Sequence, residues 1–172
     1  MSQQAGQANT IPFSRATPTS RLAAMAYEAV LLLGVIFAVS FMLLVSMRWS
    51  YPLTAGRRAA LQLVVFIAVG AYFVYCWTRT GQTLALKTWR LKVISADESP
   101  LGVGRAIARY LLAWHLWIPG LAVSALLELN LSWTLIALAT GFAVLLTSAL
   151  IDPQRRLLHD RWTGTRIVRV PE

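Results

Sequence analysis

Ala59-Ala60-Leu61-Gln62-Leu63-Val64-Val65-Phe66-Ile67-Ala68-Val69-Gly70-Ala71-Tyr72-Phe73-Val74-Tyr75-Cys76-Trp77-Thr78 contains no charged residue. A helix needs about 20 mostly apolar residues to cross a bilayer, and this stretch supplies them. A helix in a water-soluble bundle would show one apolar stripe and one polar face. Here the apolar residues run all round. Three further segments have the same character. Residues 22–47 carry one charge, Glu28. Residues 110–129 enclose His115 and end near Glu128. Residues 131–151 carry none. The expected fold class is therefore an all-α membrane protein with four transmembrane helices.

The basic residues orient these segments. Thirteen of the sixteen Lys and Arg lie in the N-terminal tail, the 79–109 gap and the C-terminal tail. The other three, Arg48, Arg57 and Arg58, lie in the gap between the first two segments. Lys and Arg accumulate on the cytoplasmic side of inner-membrane proteins. Both termini and the 79–109 loop are thus expected in the cytoplasm, with the chain passing the membrane several times. The net charge of +9 flanks membrane segments and points to anionic lipid headgroups, not to nucleic acid. Trp49, Tyr51, Tyr75, Trp77, Tyr110, Trp114 and Trp133 fall near the expected interfaces, a depth that suits rings with one polar edge. The first segment is too long for a signal-peptide core and has no small-residue cleavage site after it, so it is expected to remain in the mature protein. Cys76 is the only cysteine and is read as a packing residue.

Outside the apolar segments, residues 1–20 are rich in Ser, Thr, Gln, Ala and Pro and read as a disordered tail. Residues 21–170 form one domain, with a cytoplasmic loop at 79–109 and a cytoplasmic tail at 152–172. Within the loop, residues 88–94 alternate apolar with polar over part of their length, and residues 97–102 read as a turn. A short strand or hairpin is expected there. Thr163-Gly164-Thr165 is followed by a second alternating run, residues 166–170, which could pair with the first. Pro119-Gly120 should bend the third helix, and Asp152-Pro153 should end the fourth. Gly102-Val103-Gly104 lacks the strand context and third glycine of a dinucleotide site.

Several blocks occur in a fixed order. Gly81-Gln82-Thr83-Leu84 opens the loop, followed by Lys87-Thr88-Trp89-Arg90-Leu91-Lys92-Val93. Pro100-Leu101-Gly102 and Arg105-Ala106-Ile107-Ala108-Arg109-Tyr110 lead into the third helix. Leu158-His159-Asp160-Arg161-Trp162-Thr163-Gly164-Thr165 follows the last. These blocks, around four apolar segments, resemble the RDD family of bacterial membrane proteins over about residues 15 to 170. That family is named for an arginine at the start of the first helix, an aspartate within it and a second aspartate. The resemblance implies that Arg21 is the arginine and Asp160 the second aspartate. Glu28 stands where the first aspartate belongs, a departure that keeps the carboxylate and adds a methylene. Ala85 stands where many members have glycine. A few members of the family have been linked to cation/proton exchange.

Arg21 and Glu28 are seven positions apart, close to two turns, so they project from one helix face with about 10 Å of rise between them. An ionised carboxylate at mid-bilayer costs about 2.5–3.5 kcal/mol, which makes Glu28 a candidate functional residue. Arg109, at similar depth on the third helix, is its expected partner, and His115 lies deeper on that helix. One reading is a proton or cation site built from Glu28, Arg109 and His115, because a carboxylate withdrawn from water can exchange protons near neutral pH. The other is a structural ion pair that fixes helix register. His159-Asp160-Arg161 is expected to dock the tail onto the Gly81-Gln82-Thr83 loop. Which aspartate matters, Asp160 or Asp152, stays open.

No nucleophile or second histidine accompanies His159 and Asp160, so no catalytic residue, metal ligand set or cofactor is expected, and the chain is read as a non-enzyme. The specific activity favoured is transport or cation/proton exchange. The alternative is a membrane scaffold or partner- and lipid-binding module. The expected partners are the lipid bilayer with its anionic headgroups, a second copy of the chain, since a four-helix unit leaves charged faces to cover, and a further membrane protein.

Overall fold

Thr17 and Pro18 start the first long helix. The Thr17 hydroxyl accepts from the Ser20 backbone N–H at 3.3 Å, and Pro18 sits in the first turn, where its missing N–H leaves no helical bond unmade. The computed structural model describes residues 14–114, 117–151 and 158–171. In chain order its elements are β1 (Ser14–Arg15), α1 (Pro18–Ser46), α2 (Ala55–Arg79), α3 (Leu84–Thr88), β2 (Leu91–Ser95), α4 (Val103–Ala113), α5 (Trp117–Leu126), α6 (Leu131–Ile151), α7 (Leu158–Trp162) and β3 (Thr165–Arg169). The fold is mostly helical.

Two helices among the described residues, α1 and α2, are long and apolar enough to cross a membrane. Their 29 and 25 residues span about 44 and 38 Å, more than the roughly 30 Å of a bilayer core. Along α1, Val30, Leu33, Phe37, Phe41, Met42 and Val45 are all exposed. Apolar surface on that scale suits a lipid surrounding rather than water. Residues 131–151 form α6, with an apolar stretch over Leu131–Gly141.

The third segment, expected as one helix over 110–129, is two. α4 begins at Val103, after Gly102 in the extended conformation that precedes a helix (φ −71°, ψ 154°). α5 starts at Trp117, so Pro119 falls in its first turn, where proline is tolerated. α4 ends at Ala113, with Trp114 as its C-cap, ahead of the Pro119-Gly120 position where a bend was expected. His115 lies outside the described residues.

Three strands form an antiparallel sheet in the order β1-β3-β2. Leu91 faces Arg169 and Ser95 faces Thr165 at the two ends of the β2–β3 ladder. The 96–99 turn forms, with Ser95 N–H donating to Ser99 O at 3.1 Å, yet no hairpin follows. The strand that pairs with β2 comes from the other end of the chain. The tail also ends earlier than residue 20. Ser14 pairs with Arg169 and Arg15 with Val168, because β3 offers a second edge whose backbone groups need partners. Residues 1–13 lie outside the described residues.

Buried Val69, Trp77, Val93, Leu101, Ala106 and Tyr110 form the core, joining α2 and α4 to the sheet. Trp77, expected at the membrane interface, is 7% exposed. α2 and α4 touch through Gly70. A Cβ there would lie 2.7 Å from the Tyr110 ring, so only glycine lets the ring seat. The Tyr110 hydroxyl donates to Phe66 O at 2.7 Å.

Candidate functional site

The charged residues separate into two centres. The first surrounds Asp160, which α7 places on the first residues of β3. Asp160 is fully buried and Arg109 is 3% exposed. Arg109 Nη1 donates to Asp160 Oδ1 and to the Thr165 hydroxyl at 2.6 Å. Its guanidinium lies over the Trp77 ring, 5.0 Å from the centroid. Arg21 reaches the same place from α1. Its Nη2 donates to Ile167 O at 3.1 Å, and it lies within electrostatic reach of both Asp160 and Arg109. A buried charge is tolerated only when paired and hydrogen-bonded, and here one carboxylate joins α4 and α7 directly, with α1 and β3 beside it.

The second centre is Glu28, half-buried on the same face of α1 as Arg21. Its Oε1 accepts from the Tyr72 hydroxyl at 2.8 Å, and its Oε2 accepts from the Thr83 hydroxyl. Thr83 also caps α3, accepting from the Leu86 N–H at 3.3 Å. Among the described residues no cation pairs with Glu28. The expected Glu28–Arg109 pair does not form, because Arg109 is turned toward Asp160 and the sheet. Both line one cavity of about 550 Å³, together with Arg21, Thr83 and the apolar side chains of Leu32 and Phe73.

Among the described residues the Gly81-Gln82-Thr83 loop bonds to β2, not to the His159-Asp160-Arg161 segment expected to dock on it. Gly81 O accepts from Val93 N–H at 2.8 Å, and Gln82 Nε2 donates to Leu91 O at 2.7 Å. Gly81 adopts φ +73°, and a Cβ would lie 2.7 Å from Val93 O, so that close approach requires glycine. Arg161 is exposed, and its carbonyl accepts from Gly164 N–H at 3.4 Å. His159 belongs to α7, but its side chain, like His115 and Asp152, lies outside the described residues.

The sequence profile of the RDD family matches residues 15–164. The chain belongs to the RDD family. No curated protein and no solved structure matches it. Of the three charged residues that the resemblance singled out, Arg21 and Asp160 meet at the sheet. Glu28 stands apart with two hydroxyls. Tyr72 and Thr165 escaped the sequence reading as site residues, since the charged partner of each, Glu28 and Arg109, lies far along the chain. The one available signal for Tyr72 was its place in a segment otherwise apolar.

A carboxylate with two hydroxyl donors retains unused lone pairs, since it offers about four acceptor positions. It can take a proton or a cation there. Arg109 and Arg21, by contrast, are committed to the sheet and Asp160.

Proposed function

We propose that this RDD protein is a multi-pass inner-membrane protein that exchanges protons for cations at Glu28. The observation that carries this reading is a half-buried carboxylate, bonded only to the Tyr72 and Thr83 hydroxyls, that lines a cavity and has no cationic partner among the described residues. A fixed ion pair would leave no room for exchange. This carboxylate leaves it.

In the proposed arrangement α1, α2, the interrupted α4–α5 pair and α6 make four spans. The distribution of Lys and Arg supports placing both termini and the sheet in the cytoplasm. Transporters commonly place an interrupted helix beside the substrate site, and α5, whose Trp117 lines the cavity, fits that position. No covalent chemistry is proposed, and the chain acts as a carrier rather than an enzyme.

The test is cation-driven proton movement in vesicles containing the purified protein. Native protein is expected to move protons in response to an imposed cation gradient, and Glu28→Gln is expected to reduce the rate at least tenfold while inserting normally. A native rate in Glu28→Gln contradicts the reading. A second reading, a module that binds lipid or a partner protein, is favoured by the exposed Lys87, Trp89 and Arg90 at the end of α3. It predicts binding that is lost on changing these three and indifferent to Glu28.

A further inference from the structure

We propose that the cation exchanged at Glu28 is a hydrophobic organic monocation, held with its charge at the carboxylate and its apolar body along the cavity wall. This rests on the reading of Glu28 as the exchange group and names the substrate class.

The cavity volume of about 550 Å³ lies in the range of roughly 300–1,000 Å³ typical of sites for drug-sized molecules. A small hard cation calls for a close cage of oxygen ligands. This cavity offers one carboxylate bonded to the Thr83 hydroxyl, and its apolar lining includes Met25, Leu32, Phe73, Leu86 and Trp117. Such walls stabilise an apolar body by removing it from water and leave a bare ion without ligands.

The charges give the ligand a direction. Arg21 and Arg109 sit at the sheet end, bonded to Ile167 O and to Asp160 and Thr165. Glu28 lies about 10 Å further along α1 by helical rise. A cationic group is repelled from the sheet end and attracted to Glu28. The Phe73 ring also lines the cavity, and an aromatic ring attracts a cation held over its face. An anionic amphiphile would meet the reverse field, and its tail would run toward an ionised carboxylate. Proton and ligand compete for the same oxygens. One proton therefore leaves as one monocation enters, and the charge of the site is unchanged.

The experiment is equilibrium dialysis of radiolabelled tetraphenylphosphonium against the full chain in detergent. Folding is checked by size-exclusion profile and melting curve. Native protein is expected to bind saturably and to release protons as it does so. Glu28→Gln should weaken binding about tenfold or more, the loss of a charge-assisted contact. Ala29→Phe keeps the carboxylate and fills part of the cavity; it should weaken binding likewise. Glu98→Gln, which alters an exposed pair with Arg166, should leave it unchanged. If Glu28→Gln fails to fold, Ala29→Phe decides. Absence of saturable binding by folded native protein overturns the proposal, as does binding that Glu28→Gln or a folded Ala29→Phe leaves intact. Alkali-cation-driven proton movement without tetraphenylphosphonium binding would overturn it too, while the exchange reading of Glu28 stood.

Discussion

Thr83 shows how much one side chain can carry. Its oxygen accepts from Leu86 N–H to start α3 and its proton goes to Glu28. Thr83→Val keeps the shape and removes both bonds. It should lower stability by about 1–2 kcal/mol, through a lost cap and a lost hydrogen bond, and Thr83→Ser should recover most of it. Denaturant unfolding of the two variants would check this. An equal loss in both would mean that the hydroxyl is not what matters. Glu28 was legible from the sequence because an acid inside an apolar run is conspicuous, and its spacing from Arg21 fixed a common face. Its partners were not legible. Tyr72 lies 44 positions away and Thr83 lies 55 away, and such pairings follow from the fold. The expected link between Glu28 and Arg109 rested on depth alone, which places two residues at one level without turning them toward each other.

At the scale of elements, the contact between α2 and α4 turns on Gly70. Gly70→Ala would bring a methyl to 2.7 Å from the Tyr110 ring and should cost about 1–3 kcal/mol as overpacking. Gly34 in α1 has nothing within 4 Å of such a methyl. Gly34→Ala should be neutral or mildly stabilising, since alanine favours helix by about 1 kcal/mol. Thermal melts of both in detergent would separate packing from propensity, and a similar melting point for the two would contradict the close contact. The elements were unevenly readable. The period-two runs gave β2 and β3 and their pairing, because alternation at the sheet is dictated by burial of Leu91 and Val93. β1 is two residues long and has no pattern to read. The interruption between α4 and α5 was masked by continuous hydrophobicity, which records burial or lipid contact and is blind to helix ends.

For the molecule as a whole, the sheet ties the chain's two ends to its middle, and Asp160 fastens that sheet to the helices. The proposed topology has a simple expected outcome in a Cys76→Ser background. Ala96→Cys, in the loop after β2, should react with an impermeant thiol reagent only from the cytoplasmic face. Ser50→Cys, between α1 and α2, should react only from the opposite face. Labelling of both from one side would contradict the orientation. That orientation is proposed from the charge distribution alone, and the meeting of Arg21, Arg109 and Asp160 was not legible in the sequence. Resemblance to the family named two of these residues without bringing them together, and Arg109 lies 51 positions from Asp160.

The division of labour between the two centres, one structural and one for exchange, is tested most directly by thermal unfolding of Asp160→Asn and Glu28→Gln side by side in detergent. Asp160→Asn leaves the Arg109 charge buried without its counter-ion and should lose about 3–5 kcal/mol. Glu28→Gln can still bond both hydroxyls and should stay within about 1 kcal/mol of native. A large loss in Glu28→Gln, with Asp160→Asn melting as the native protein does, would contradict it.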